Sequence, residues 1–211
     1  MSVPVPAVSA PATVAVAYHS GYGHTARQAE AVAAGAASVE GVTALRHDVS
    51  DPDDALLASL DTADAVIFGS PTYMGSTSAV FQRFAEATAS RWQEQRWSGK
   101  LAAGFTNSAG VNGNKDNTLM ALAVFAAQHG MTWVPLGLLP GGEYSAAGTP
   151  DDLNRLAGFT GAMAQSPSDA GPEDAPRPGD LRTAEHLGAR VARAALTLVH
   201  GRAALAERVP A

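Results

Sequence analysis

The 211 residues are enough for one α/β domain with a full hydrophobic core. Hydrophobic residues make up 46% and charged residues 16% of the chain, which excludes a largely disordered protein. A net charge of −6, with Lys100 and Lys115 as the lysines, argues against a nucleic-acid-binding protein. The absence of cysteine excludes disulfides, thiolate catalysis and cysteine-ligated metals, and we predict no bound metal.

The chain shows no sign of a membrane segment. No apolar run approaches the roughly 20 residues of a membrane helix, so we predict no membrane partner. Residues 1–11 are rich in Pro, Ala and Val and carry no basic side chain, which is atypical of a signal peptide. We therefore predict a flexible leader on a cytoplasmic protein.

Apolar runs alternate with helical patterns along the chain. Continuous apolar runs are typical of strands buried on both faces, and apolar residues at spacings of three and four are typical of helices. These patterns predict strands at residues 13–18, 42–46, 65–69, 101–105 and 131–136. Helices are predicted after the first four strands: one ending near residue 38, one at 53–60, one through 80–87 and one ending near 130. Such alternation predicts a parallel, doubly wound sheet with helices on both faces.

The last third of the chain is less regular. Segment 135–179 is dense in Gly and Pro, with a possible short helix near 151–159, and a loop of this length usually has a function or is disordered. A final helix follows, with Asp180 as its predicted N-cap. We predict one domain at residues 12–200 and a tail at 201–211.

The first predicted strand runs into a polar turn, residues 19–25, which contains Gly21 and Gly23. Backbone N–H groups and the positive end of the following helix would point at one place, which favours a phosphate site. Ser20 and Thr25 could add hydroxyl donors and His24 a further one; the alternative is that the two hydroxyls only cap the helix, which would not call for both glycines.

Two interpretations of this turn stay open. Gly21, Gly23 and Ala26 fit the loose G-x-G-x-x-G/A dinucleotide fingerprint, with Asp48 near the distance of a ribose-binding acid. The many hydroxyls instead favour a terminal monophosphate, which has more oxygens to satisfy. No Gly-Lys-Ser/Thr follows, so the turn is not a Walker loop.

Two further polar loops follow the third and fourth predicted strands. Residues 70–75 combine a proline, a hydroxyl, an aromatic ring and a thioether, which suits a planar heterocycle. Residues 107–113 offer amides and small residues whose backbone can approach a ring edge. Because ligands of parallel sheets bind beyond the carboxyl ends of the strands, we expect the three loops to build one pocket.

The ordered set of loops resembles the flavodoxin-like FMN-binding proteins, and more narrowly the WrbA-like NAD(P)H:quinone oxidoreductases and NADPH-dependent FMN reductases. Segments 18–25, 68–75, 99–102 and 128–131 carry the resemblance, which covers about residues 12–137. It implies a flavodoxin-like three-layer fold with a five-stranded parallel sheet of order 2-1-3-4-5. It also implies FMN as cofactor, NAD(P)H as co-substrate and a quinone-like small molecule as electron acceptor.

The resemblance also implies roles for individual residues. The FMN phosphate would be held by Ser20, Gly21, Tyr22, Gly23, His24 and Thr25. The flavin ring would be lined by Pro71, Thr72, Tyr73, Met74 and Gly75, and by a third loop that also reaches the ribityl chain: Asn107, Ser108, Ala109, Gly110, Asn112 and Gly113. This third loop departs from the Thr-Gly-Gly-Gly run common in the family. His129 would lie near the flavin as a possible catalytic residue, Trp92 would line the substrate site, and Tyr22 would lie near the nicotinamide.

Structural roles stay open for several of these residues. His129 precedes a glycine that could end a helix, where a cation suits the helix dipole. Trp92 could be a packing residue at a helix end, because packing is the commoner role of a lone tryptophan. Tyr73 and Met74 could be core or surface residues, and Asn107 and Asn112 could be ordinary turn residues.

We predict an enzyme that transfers a hydride from NAD(P)H through FMN to a quinone-like acceptor, with two-electron, ping-pong turnover. The alternative is a flavodoxin-type electron carrier, which would bind partner proteins through an acidic face; no acidic cluster is evident beside the three loops. A non-redox module and a Rossmann-type dehydrogenase are further hypotheses. A homodimer or homotetramer is predicted, because segment 135–179 could complete a neighbour's pocket.

Overall fold

The computed structural model describes residues 10–208. The strands in this range are β1 (Ala12–Tyr18), β2 (Val42–Asp48), β3 (Ala65–Tyr73), β4 (Ser76–Thr77), β5 (Leu101–Ser108), β6 (Thr132–Trp133) and β7 (Ala162–Gln165). The helices are α1 (His24–Ala37), α2 (Asp54–Thr62), α3 (Ala79–Ala87), α4 (Ala89–Gln93), α5 (Lys115–Gln128) and α6 (Pro178–Ala206), and a 3-10 turn lies at Gly142–Tyr144.

A parallel sheet of order β2-β1-β3-β5-β6 lies at the centre of the fold. β1 pairs with β2 and β3, and β3 pairs with β5, all in parallel register. Since β5 and β6 correspond to the fourth and fifth predicted strands, the predicted order 2-1-3-4-5 is confirmed. This order is that of flavodoxin-like sheets and differs from the order of a Rossmann dehydrogenase, so the Rossmann hypothesis does not fit the fold.

The fifth position of the sheet is shared by two short strands. β6 pairs with Leu101 and Ala102 at the start of β5, and β7 pairs with residues 105–108 at its end. The predicted strand 131–136 is therefore shortened. Val134 still donates its N–H to Ala102, and Pro135 then has no N–H with which to continue the ladder. Segment 134–161 leaves the sheet at this point and returns as β7.

Two hydrophobic cores cover the two faces of the sheet. Val14, Val16 and Tyr18 of β1 pack on the face covered by α1 and α6. Ala15 and Ala17 pack on the other face, which α2, α3 and α5 cover. Because β1 is buried on both sides, its apolar residues are continuous and do not alternate with polar ones.

The long α6 differs from its predicted start and end. Its N-cap is Arg177 with Pro178 in the first turn, so the prediction of Asp180 as N-cap is wrong. Asp180 lies in the first turn, 1% exposed, and pairs with Arg155 at 2.7 Å. The helix continues to Ala206, and the first part of the predicted tail 201–211 is thus helical.

Residues 151–159 form turns, and the short helix predicted there is wrong. The predicted leader lies almost wholly outside the described residues, and the domain limits 12–200 stay a prediction. Within the described part of the chain, no helix combines the length and apolarity needed to cross a membrane.

Candidate functional site

A pocket of about 610 Å³ lies at the carboxyl edge of the sheet, the edge at which β1, β3 and β5 end. Four segments enclose it: the loop after β1, the end of β3, the end of β5 and residues 166–172, which we call the strap. The lining residues are Tyr22, His24, Thr25, Pro71, Thr72, Tyr73, Asn107, Ser108, Ala109, Ser166, Pro167, Ser168, Ala170, Gly171 and Pro172. The structure thus brings the three predicted loops together around one cavity.

The loop after β1 presents the start of α1 to the pocket. Gly23 precedes the helix with a φ of 88°, a left-handed conformation that favours glycine. The first N–H groups of α1 have no acceptor within the helix and point out of its end. Thr25, 2% exposed, lines the pocket beside them. This end of α1 is a concentration of donors suited to an anion.

Ser20 supports the same helix end. Its Oγ accepts a hydrogen bond from the N–H of Ala26 at 3.1 Å, so the capping interpretation of Ser20 holds. A hydroxyl that accepts one hydrogen bond keeps its proton for another acceptor, and capping does not prevent Ser20 from donating to a ligand. Gly21 lies under Tyr73: a Cβ at this position would overlap with the phenol oxygen.

The end of β3 forms an aromatic wall. Pro71, Thr72 and Tyr73 line the pocket, and the Tyr73 ring lies edge-on to Tyr22 with centroids 6.3 Å apart. Partial burial raises the pKa of Tyr73, so its hydroxyl stays protonated at neutral pH and can donate. The two tyrosines form the rim, with Tyr22 77% exposed.

Met74 and Gly75 do not line the pocket. Both have positive φ values, 49° and 83°, and they form the turn that leads β3 into the antiparallel β4. The Met74 side chain is fully exposed. These two residues shape the second loop and leave contact with the cavity to its earlier residues.

The end of β5 forms the opposite wall. Asn107, Ser108 and Ala109 line the pocket, whereas Gly110, Asn112 and Gly113 form the turn behind it. Gly113 has a φ of 58°, and a Cβ at this position would overlap with Ser108 Oγ. The Asn112 side chain accepts a hydrogen bond from the Asn114 N–H at 2.9 Å, which is the ordinary turn role.

The strap is the part of the site that sequence reasoning missed. Its Ala170 carbonyl lies 2.9 Å from His24 Nε2, and its Pro172 ring packs on Gly23, where a Cβ would come within 2.9 Å of the ring. The Ser166 hydroxyl donates to Asn107 Oδ1 at 3.2 Å. The strap therefore connects the first and third loops. The Gly and Pro density of segment 135–179 indicated a functional loop but not which of its residues reach the pocket.

Acidic residues lie next to the strap. Asp169, Glu173 and Asp174 are exposed there, although none of them lines the cavity. The sequence-based expectation that no acidic cluster flanks the site is therefore wrong. The three acids come close to the predicted loops only through the tertiary path of the strap.

His129 does not reach the pocket. It lies at the end of α5, next to Gly130, whose carbonyl accepts from the N–H of Gly99 before β5 begins. Its imidazole is 1% exposed, packs on Trp97 with centroids 4.4 Å apart, and has Nε2 2.9 Å from Thr88 Oγ1. Within this chain, the expectation that His129 lies near the flavin is therefore wrong.

The protonation of His129 follows from these contacts. The Thr88 hydroxyl donates its proton to the Ala85 carbonyl at 2.7 Å, so its oxygen accepts from Nε2–H of His129. Burial lowers the pKa of His129 to about 4, and the ring is neutral at pH 7. His129 is a structural residue of the core at the amino edge of the sheet.

Trp92 lies at this same amino edge. It belongs to α4, its carbonyl accepts from the Gln95 side chain at 2.8 Å, and that amide also reaches the Gln128 carbonyl. The ring is 47% exposed. The structure does not bring Trp92 to the pocket of its own chain, and its predicted place in a substrate site stays a prediction.

The residues around the pocket fit FMN. The first helix N–H groups and Thr25 form a donor set for a phosphate, and no carboxylate lines the cavity among the described residues. Ser20, Gly21 and Gly23 lie in the same loop but are not lining residues of the cavity. The two walls, residues 71–73 and 107–109, offer flat and small side chains that suit a planar ring. The volume lies within the range of small-molecule and cofactor sites.

Comparisons with known proteins agree with this site. The family model for NADPH-dependent FMN reductase matches residues 25–144. Flavodoxin FldP of Pseudomonas aeruginosa is 43% identical over 84% of this chain and 94% of its own length. An NAD(P)H dehydrogenase (quinone) of Geotalea uraniireducens is 31% identical over 88% of this chain and 98% of its own length.

A solved structure supports the fold as well. The flavodoxin, WrbA-like protein from Agrobacterium tumefaciens is 42% identical, with a TM-score of 0.67, covering 87% of this chain and 97% of that one. The family model spans more than half of the 211 residues, and the sheet order is that of flavodoxin. The chain therefore belongs to the flavodoxin-like FMN-binding proteins of the NADPH-dependent FMN reductase family.

Proposed function

We propose that this protein is an FMN-dependent oxidoreductase that takes a hydride from NAD(P)H and passes two electrons to a quinone-like acceptor. The observation that carries the proposal is the pocket itself, which is lined by the donor-rich end of α1, by flat walls and by the paired rings of Tyr22 and Tyr73. The FMN reductase family model and the relatives named NAD(P)H dehydrogenase (quinone) support an oxidoreductase.

The first loop and α1 would hold the phosphate of FMN. The backbone of Gly21, Gly23 and His24 would donate, together with the hydroxyls of Ser20 and Thr25. The positive end of the α1 helix dipole would favour the doubly charged form of the FMN phosphate. Hydrogen bonds from backbone N–H groups to a charged phosphate each contribute about 1.5–3 kcal/mol, so this end would supply much of the affinity.

The walls would hold the flavin ring. Pro71, Thr72 and Tyr73 on one side and Asn107, Ser108 and Ala109 on the other would contact it through apolar surface and backbone groups. FMN, when bound, supplies the hydride-accepting and electron-donating chemistry. The chain's own residues bind the ring, orient it and, through the strap, limit the access of water from one side.

The two tyrosines at the rim would bind the ring of the substrate, which is the nicotinamide of NAD(P)H or the quinone. An exposed Tyr22 and a partly buried Tyr73 offer an aromatic surface on which a nicotinamide or a quinone can stack in turn. One site used by both substrates in succession requires that the first product leaves before the acceptor binds. This requirement is the structural basis for ping-pong turnover.

A second candidate function is electron carriage. Flavodoxin FldP is 43% identical, and the exposed Asp169, Glu173 and Asp174 beside the strap form the kind of acidic surface that docks a basic partner protein. A carrier would bind FMN in the same way but would not be reduced by NAD(P)H directly.

Anaerobic mixing separates the two candidates. The FMN-loaded protein is mixed with NADPH or with NADH without oxygen, and the flavin absorbance at about 450 nm is followed. An enzyme loses this absorbance quickly with at least one of the two nucleotides. In steady-state assays with a quinone acceptor, its double-reciprocal plots at different acceptor concentrations are parallel lines. A protein that keeps its colour with both nucleotides but is bleached by a reduced partner protein would be a carrier.

The predicted homodimer or homotetramer stays a prediction. The strap lines the pocket of its own chain. Light scattering of the FMN-loaded protein tests the prediction: an active monomer would contradict it.

A further inference from the structure

Lys115 is a buried lysine directly behind the pocket. It is the first residue of α5, immediately after the third loop, and its side chain is 1% exposed. Its Nζ donates to Ser108 Oγ at 2.9 Å, to the Gly110 carbonyl at 2.6 Å and to the Val111 carbonyl at 2.9 Å. All three N–H bonds of the ammonium are thus used on the third loop.

The charge of Lys115 is not neutralised by an ion pair. Its three acceptors are a hydroxyl and two carbonyls, and none of the ion pairs within residues 10–208 includes it. Asp180, which acts on it electrostatically, is paired with Arg155 at 2.7 Å. Burial lowers the pKa of Lys115 to about 8, which leaves it mostly protonated at neutral pH.

The ammonium lies one hydrogen bond from the cavity. Ser108 lines the pocket, and its hydroxyl accepts from Nζ. Buried, unpaired charges are costly, because protein dipoles only partly replace the lost hydration. Low polarity also lets such a charge act on neighbouring groups more strongly than it would in water.

We propose that Lys115 raises the reduction potential of FMN in this pocket by stabilising the negative charge of the reduced flavin. Hydride uptake adds two electrons and one proton, so the flavin gains one negative charge unless a second proton follows. The reductant is NAD(P)H in the proposed function, or dithionite in the test. The inference rests on FMN binding in the pocket, which the enzyme and the carrier share, and not on which of the two this protein is.

The chain supplies a matched control. Lys100 is its other lysine and is also buried, with Nζ donating to the carbonyls of Leu60, Asp61 and Ala63. Lys100 directly precedes β5, whereas Ser108 is its last residue, and the two lie about 26 Å apart at roughly 3.3 Å per residue. Lys100→Met also removes a buried ammonium group, but at the opposite edge of the sheet from the pocket.

The experiment measures the Kd for oxidised FMN and the Kd for reduced FMN, together with the midpoint potential, in the full-length protein. Lys115→Met is expected to lower the ratio of the oxidised to the reduced Kd about tenfold. This change equals a potential about 30 mV lower for a two-electron couple. Lys100→Met is expected to lose stability without changing the ratio.

Two variants at Lys115 itself provide a second test. Lys115→Gln keeps an amide donor for the third loop but carries no charge, so the ratio is expected to fall as it does in Lys115→Met. Lys115→Arg keeps the charge, so its ratio is expected to stay near that of the wild type. If Lys115→Met does not fold, this pair of variants decides the question.

Equal weakening of both redox forms by Lys115→Met, with the potential unchanged, would overturn the inference. Lys115 would then only hold the third loop. A Lys115→Gln variant with an unchanged potential would likewise count against it. Failure of the wild-type protein to bind FMN is a different result, since it would contradict the proposed function itself.

Discussion

His129 makes the stability of the protein depend on pH in a calculable way. Its ring is neutral and buried, donating to Thr88 and packed on Trp97, and burial lowers its pKa from 6.5 to about 4. In the unfolded chain the ring is solvated and takes a proton near its ordinary pKa. As the pH falls below about 6.5, the unfolded state therefore binds a proton that the folded state does not.

The magnitude follows from the shift. The contribution of the neutral ring is fully present above pH 6.5 and is lost between 6.5 and 4. Each pH unit inside this window costs about 1.4 kcal/mol. Lowering the pH from about 7.5 to about 5 should thus remove about 2 kcal/mol of the free energy of unfolding through His129 alone.

Urea unfolding of the apoprotein, followed by tryptophan fluorescence, measures this loss at several pH values. His129→Gln keeps a donor for Thr88 but cannot titrate, so its loss over the same range should be smaller than that of the wild type by about 2 kcal/mol. His19, His47 and His186, whose pKa values are also lowered by burial, are present in both proteins and cancel in the comparison.

Thr88→Val is the matched control. It removes the acceptor but leaves the imidazole in place, so stability should fall at every pH by about 1–3 kcal/mol while the pH dependence remains. Equal pH dependence in the wild type and His129→Gln would refute the reasoning, since the proton uptake would then belong to other groups.

Three further predictions concern packing and the pocket. Gly188→Ala would overlap with the Val32 carbonyl where α6 packs on α1, so the free energy of unfolding should fall by about 2 kcal/mol or more; an unchanged urea midpoint would contradict this packing. His24→Ala removes the hydrogen bond to Ala170, so FMN dissociation in stopped flow should become about fivefold faster, and an unchanged rate would mean that the strap does not retain the cofactor. Ser20→Ala should weaken FMN binding but not riboflavin binding and cost about 1 kcal/mol of helix stability. Equal weakening of both ligands would place Ser20 away from the phosphate.

The central part of the fold could be predicted because its signals are local. The five strands β1, β2, β3, β5 and β6 are recognisable from local sequence patterns without any tertiary information, and their alternation with helices predicts parallel pairing. The polar loops at the ends of β1, β3 and β5 then had to meet at one edge. Pro71, Thr72, Tyr73 and the residues 107–109 line the cavity for this reason.

The strap and the split fifth strand could not be predicted, because they depend on contacts between distant parts of the chain. Ala170 of the strap contacts His24, which lies 146 residues earlier in the chain. β7 pairs with β5 only after the irregular segment 134–161, whose path the local sequence does not specify. Gly and Pro density shows where the chain leaves regular structure, but not where it returns.

Side-chain roles were harder to predict than backbone positions. A histidine before a helix-ending glycine is compatible with a cap, a flavin contact or a buried core residue, and only the packing of His129 on Trp97 selects the third. Lys115 lies at a helix start, where a cation opposes the helix dipole, so no local pattern indicates its burial behind the third loop.

The most direct test of the account is the visible absorption spectrum of the protein after incubation with FMN and, separately, with riboflavin, followed by dialysis. If the end of α1 holds the phosphate, one FMN is retained per chain, with absorption bands at about 370 and 450 nm. Riboflavin, which lacks the phosphate, binds about 100-fold more weakly. This difference in affinity corresponds to roughly two charge-assisted hydrogen bonds. A protein that emerges colourless from both incubations would contradict the FMN pocket. Equal retention of both ligands would contradict the phosphate site at α1.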